Sequence, residues 1–372
     1  MNFFKYTFFQ VFILIFSQYT CAQDLKKSKT YLEYGLNGYY GALFKHRLDQ
    51  EKIYFPGAFG VEANIQKFTD GRNNWERFYN YPKVGCAVMY FNYNMPDELG
   101  KAYSLIPYMD FTLSKKGKRR FRIKSGFGAV YSTKTHELIT NEENSAISSK
   151  VSIAVTLDFQ YDFKISDHFS INANAGFRHY SNGRLRAPNN GINYLIVGLG
   201  ARYTPQPIPK ENFYLGPPDK TYENKLYFNV MGATAWRHVR PLENGHHNAY
   251  IISVYASKMV GPLSNLVLGI DGFKYHTESM RQEYLNRMTS PEENNLDGRQ
   301  AGITFGHELL FGKLAFVTQI GIYFYLPVKF DLPYYQRVGF RYYLCKNAFL
   351  NTTLKAYTSK ADMLEFGLGF RL

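Results

Sequence analysis

Apolar and polar residues alternate along most of the chain, in long runs. Over 150–164, Val151, Ile153, Val155, Leu157, Phe159, Tyr161 and Phe163 share one face of an extended chain. Ser152, Ala154, Thr156, Asp158, Gln160 and Asp162 share the other. Period two marks a β-strand whose faces meet different surroundings. The same pattern predicts strands over about 30–43, 57–66, 84–93, 102–113, 119–132, 168–181 and 193–204. After a break it predicts eight more, over about 224–238, 246–260, 264–278, 298–310, 313–327, 333–345, 348–358 and 362–372. Runs of roughly 12 to 15 residues far exceed the ~5–6 of a typical soluble strand. A soluble sandwich would bury the apolar face; a membrane barrel turns it to lipid and keeps the polar face inside. The length favours the barrel.

The break, 205–222, carries Pro205, Pro207, Pro209, Pro217 and Pro218 and reads as a linker or long turn. It separates units 23–204 and 223–372, which resemble each other. Tyr194–Tyr203 reads YLIVGLGARY and Met363–Leu372 reads MLEFGLGFRL, each with Gly-x-Gly-x-Arg on the polar face. Upstream, Phe177-Arg178-His179-Tyr180-Ser181-Asn182 aligns with Leu354-Lys355-Ala356-Tyr357-Thr358-Ser359, so that Ala356 stands where His179 does. The pattern predicts an all-β, antiparallel, transmembrane outer-membrane barrel protein built from a duplicated eight-stranded unit, about 16 strands in all. Chance similarity of two barrel hairpins is the alternative. The strands could close as one barrel or two; one is the expectation, because tandem barrels in a chain are rare.

The beginning of the chain supplies a route to that membrane. Lys5 is the only charge in residues 1–22, and an apolar run from Tyr6 to Phe16 precedes a polar stretch. This is the order of a secretory signal peptide. The run is shorter than the ~20 residues of a membrane-spanning helix. Thr20 and Ala22 are small residues suited to cleavage after Ala22; a lipoprotein signal at Cys21 is the other reading, with a poor lipobox before it. Beyond residue 22 only Cys86 and Cys345 remain, either a disulfide or two unpaired thiols within strands. No Cys/His spacing suggests a metal, and no cofactor is expected. The net charge of +14 suits an anionic lipid surface but names no partner. No aromatic-basic nucleic-acid module and no P-loop is present. Oligomeric state is left open.

One corner of the first unit departs from the pattern. Ile171, Ala173, Ala175 and Phe177 make an apolar face, and His179 and Ser181 continue it at the strand's end. On the next strand Leu195, Val197, Leu199, Ala201 and Tyr203 face the same way, with Asn193 at its beginning. Residues i and i+2 on a strand lie about 7 Å apart, and cross-strand neighbours about 4.5–5.5 Å. A hydroxyl, an imidazole and an orienting group would then meet on the outward, lipid-facing side. That is the logic of serine hydrolysis, although His and Ser at a strand end can equally be interface residues. If the first strand starts in the periplasm, the corner lies at the outer leaflet, where lipopolysaccharide resides. A lipid substrate fits such a position.

His179-Tyr180-Ser181-Asn182 followed by Pro188-Asn189-x-Gly191 resembles the motif of the lipid A 3-O-deacylase (PagL) family of outer-membrane acyl-ester hydrolases. The resemblance covers roughly residues 30–204, and the second half only as a degenerate copy. It implies an eight-stranded barrel and cofactor-free ester hydrolysis, with Ser181 as nucleophile and His179 as base. It implies oxyanion stabilisation by Asn189 and the backbone N–H near Arg184. Asn182 and Arg186 are expected at the substrate, and Arg184 and Arg186 to pair with lipid A phosphates or simply to be solvated. The departure is the triad acid: the family's Glu falls on Asn193. A neutral amide can orient His179 but stabilises imidazolium less. Glu142 or Glu143 could substitute, or the site could be inactive. The expectation is a lipid A acyl-ester hydrolase of the outer membrane; the alternative is a non-catalytic barrel, a pore or structural envelope protein.

Overall fold

A computed structural model describes residues 30–43, 57–207, 209, 213–214, 216–242, 245–287, 296–328 and 332–372. The expected signal peptide and cleavage after Ala22 lie outside these residues. The first eight strands are β1 (Leu32–Leu43), β2 (Ala58–Phe68), β3 (Lys83–Asn92), β4 (Lys101–Lys116), β5 (Arg119–Ser132), β6 (Val151–Lys164), β7 (Phe169–Ser181) and β8 (Ile192–Tyr203). They pair in chain order, and β8 returns to β1 with Gly38 opposite Leu199, which closes a barrel. Strands β9 (Leu226–Arg237), β10 (His247–Gly261), β11 (Ser264–Tyr275), β12 (Arg299–Phe311), β13 (Leu314–Tyr325), β14 (Tyr334–Tyr343), β15 (Ala348–Tyr357) and β16 (Lys360–Arg371) close a second barrel through β16 and β9. The expected single barrel is therefore corrected to two. Each unit carries a last strand whose register matches its own first strand, so neither leaves an edge to share. Alternation alone reports the faces of a strand and not its closing partner.

The faces are as the alternation requires. Leu195, Val197 and Leu199 are exposed, whereas Asn172, Asn174, Arg178 and Arg202 are buried inside. The first interior is filled by ion pairs: Lys124–Glu62 at 2.6 Å, Arg178–Asp158 at 2.6 Å, and Arg122 and Arg202 on Asp162 at 2.6 and 2.5 Å. In the second, Arg337 meets Asp271 at 3.0 Å and Glu365 at 2.7 Å, and Arg341 pairs with Glu308. Removing one partner of such a pair leaves a buried charge, at a cost of about 3–5 kcal/mol. Gly198 and Gly369 make room for these fillings, since a Cβ on either would collide with the ring of Tyr39 or Phe349.

The connection between the barrels meets, at Asp219, a short helix of the β2–β3 connection, α1 (Asn74–Phe78). Asn74 exchanges two hydrogen bonds with Asp219, at 2.7 and 2.8 Å. Beside it Tyr79 stacks on Phe311 of β12, with centroids 4.9 Å apart, and farther along Phe127 meets Phe340 edge-on at 5.1 Å. At the opposite end, helix α2 (Thr277–Asn286) in the β11–β12 connection reaches the loop after β7. Neither helix is predicted by the alternation; the expected strand 264–278 runs into α2, where His276 caps the helix by accepting from the N–H of Glu278 at 3.2 Å. Between lipid-facing surfaces burial gains little, because lipid tails are as apolar as Leu. Packing, ion pairs and the tether must hold the barrels together. Cys86 on β3 and Cys345 after β14 are unpaired.

Candidate active site

The β7–β8 register places His179 directly opposite Asn193, and Ser181 lies two residues further along β7. The Nδ1–H of His179 donates to Oδ1 of Asn193 at 2.7 Å, and Ser181 Oγ–H donates to Nε2 at 2.9 Å. An amide oxygen can only accept. Asn193 thus fixes the tautomer, with the proton on Nδ1 and the lone pair of Nε2 aimed at the serine. That is the arrangement a general base needs. Glu142 and Glu143 are exposed on the β5–β6 connection, and the position facing Nδ1 belongs to Asn193.

The corner was expected to lie bare on the lipid side. Instead Ser181 is 7% exposed and Asn193 8%. The loop 182–191 and the β5–β6 connection cover part of it, and the outer face of the second barrel stands across the remaining space. A cavity of about 760 Å³ has His179 and Ser181 on one wall and Val338, Leu354 and Ala356 of the second barrel on another. Alternation assigned the outward face correctly but could not know that a neighbouring barrel would stand across from it.

The loop 182–191 forms the rim. Gly183 and Arg184 adopt left-handed backbone, at φ 63° and 68°, and the latter is strained for a residue with a Cβ. Asn189 lines the cavity and accepts from the N–H of Asn182 through Oδ1 at 2.9 Å, which leaves its NH2 to donate. The Asn182 side chain, expected at the substrate, is engaged within the loop instead. It is buried, and its NH2 donates to Ser148 Oγ, Ser149 Oγ and the Arg186 carbonyl at 3.1, 3.0 and 2.8 Å. Arg184 is also placed differently from expectation: its guanidinium pairs with Glu283 of α2 and lies 3.7 Å from Asp362 of β16. Arg186 is exposed.

Sequence reasoning missed the partners that hold this loop. The N–H of His238, at the end of β9, donates to the Arg184 carbonyl at 3.2 Å; the N–H of Ala187 donates to His238 Nδ1 at 3.2 Å. Arg237 contacts Glu283 at 2.9 Å and Asp362 at 2.8 Å. Burial pushes the Glu283 carboxyl up, but Arg184 and Arg237 together pull it below the ordinary glutamate value. These residues stand singly in loops and strand ends of the other half, so no local pattern links them to His179.

Residues 58–202 match the family model for lipid A 3-O-deacylase (PagL), and residues 223–372 match the model for the C-terminal domain of acyloxyacyl hydrolase. Each half of the chain thus matches a model of its own, the first that of PagL. Among solved structures, the outer membrane enzyme PagL is 13% identical with a TM-score of 0.33, over 45% of this chain and 97% of that one. Neisserial surface protein A is 8% identical with a TM-score of 0.31, over 47% and 96%. A variant of the Rh. blastica porin is 8% identical with a TM-score of 0.18, over 92% and 100%. No curated protein matches.

Proposed function

We propose that this chain hydrolyses an acyl ester of lipid A in the outer membrane, with Ser181 as nucleophile, His179 as general base and Asn193 orienting His179. The observation that carries the proposal is the unbroken line from Asn193 Oδ1 through His179 to Ser181 Oγ, at 2.7 and 2.9 Å. In the first step Ser181 Oγ bonds to the ester carbonyl carbon and its proton passes to Nε2. Collapse breaks the bond to the sugar oxygen, which takes that proton and leaves as the alcohol. Water, deprotonated by the same Nε2, then attacks the acyl-serine; the bond to Ser181 Oγ breaks, Oγ takes the proton back from Nε2, and the fatty acid leaves. The backbone N–H of Arg184 and the NH2 of Asn189 are the donors for the oxyanion, where charge develops. Arg186, exposed on the same loop, is the remaining candidate for a lipid A phosphate. No cofactor enters these steps. The leader is removed after Ala22, and the working site belongs to 23–204, with none in 223–372.

Mass spectrometry of lipid A from cells with and without the chain tests this. The expected result is the loss of one acyl group with the natural chain and none with Ser181→Ala. Identical acylation in both would overturn it.

A further inference from the structure

The site in the first barrel has a wall that the first barrel does not make. We propose that the outer face of the second barrel, at Val338, Leu354 and Ala356, is an acyl-chain subsite that selects the hydrocarbon of the ester cleaved at Ser181. The inference rests on Ser181 being the nucleophile. Two observations and one geometric consequence lead to it. The cavity places Ser181 and this wall around one space of about 760 Å³, within the roughly 300–1,000 Å³ of small-ligand sites. An ester held at Ser181 must send one of its two substituents into that space. Val338, Leu354 and Ala356 are apolar and suit hydrocarbon, and Thr318 and Gln336 of the same outward face add polar groups to the lining.

The wall is also shaped to leave room. Ala356 stands opposite Ala361 across β15–β16, at the corner where the first barrel carries His179 opposite Asn193. Two small side chains there keep the space open, and Ala356 is only 8% exposed, so that a larger residue must project into the cavity or displace the barrels. Leu364, outward on β16, is 3% exposed and packs behind Gly183, so the wall is held at fixed distance from the rim.

Two alkyl fluorophosphonates, one ethyl and one hexadecyl, report the subsite through labelling of Ser181 in the purified full chain in detergent. The natural chain should prefer the long probe. Ala356→Phe fills the space, so it should slow long-chain labelling about tenfold, the order by which an apolar pocket rejects a misfit, and leave the ethyl rate within about twofold. The unchanged ethyl rate also shows that the variant is folded. Leu354→Ala, which widens the wall, should move the preference toward the long probe. An unchanged ratio of the two probes in both variants overturns the subsite, and so does equal slowing of both probes by Ala356→Phe. A natural chain labelled by neither probe overturns the Ser181 reading itself, and the subsite with it.

Discussion

The two barrels meet at corresponding corners that each carry a hydroxyl and differ in what surrounds it. In the first, His179 lies opposite Asn193 and a ten-residue loop, 182–191, spans the strands. In the second, Ala356 lies opposite Ala361 and the strands are joined by Thr358 and Ser359 alone. The hydroxyl corresponding to Ser181 is that of Thr358, and it donates to the carbonyl of Tyr357 at 2.7 Å instead of to a base. What the second corner lacks in chemistry it supplies as support: it walls the cavity, and nearby Asp362, Glu283 and His238 contact the loop of the first. The difference teaches that a second barrel can wall a corner whose reactive groups it does not repeat.

The comparison breaks most directly at the nucleophile. Ser181→Ala or His179→Ala should lower ester hydrolysis by about 10⁴-fold or more, measured as fatty acid released from lipid A. The converse change, Ala356→His with Thr358→Ser, should create no activity in a Ser181→Ala background, because a two-residue turn offers no oxyanion loop. Activity there would mean that the loop is dispensable.

The support is tested next. His238→Ala removes the acceptor for the Ala187 N–H, and Glu283→Gln removes the carboxylate on Arg184. Each should lower kcat by about 10- to 100-fold with KM less changed, since an ångström of misplacement costs about that much. Unchanged kcat would reduce the second barrel to a passenger. Asn193→Asp should raise kcat by up to about tenfold, because a carboxylate stabilises the imidazolium that an amide only orients; a loss would show that the amide is the better fit in this pocket.

A smaller effect concerns acid. Glu283 holds a pKa below its ordinary value, so it binds protons less readily folded than unfolded. Its contribution to loop docking is complete above the unfolded value, near pH 4.3, and is lost as pH falls through the lower folded value. Thermal unfolding of the natural chain should therefore become less stable below about pH 4, and Glu283→Gln should flatten that limb. Finally, barrels filled by Arg122, Arg178, Arg337 and Arg341 should pass no steady current in planar bilayers.

Much of this was legible in the chain. Sixteen strands follow from the alternation to within a few residues, because lipid on one side and a polar filling on the other impose period two directly. His179, Ser181 and Asn193 were legible for the same reason: polar residues on an otherwise apolar face. The number of barrels was not, since closure depends on which strand pairs with β1, a contact between residues such as Gly38 and Leu199 that are far apart in sequence. Nor were His238 and Glu283, whose role exists only once the barrels touch. Arg184 misled for the same reason: an arginine beside a lipid site suggests phosphate, whereas carboxylates from the other half take its charge.

The most direct test is fatty acid release from purified lipid A by the purified full chain, read by mass spectrometry, with Ser181→Ala beside it. Release by the natural chain and none by the variant is the predicted result. Equal release by both, or none by either, would contradict a Ser181 site between the barrels.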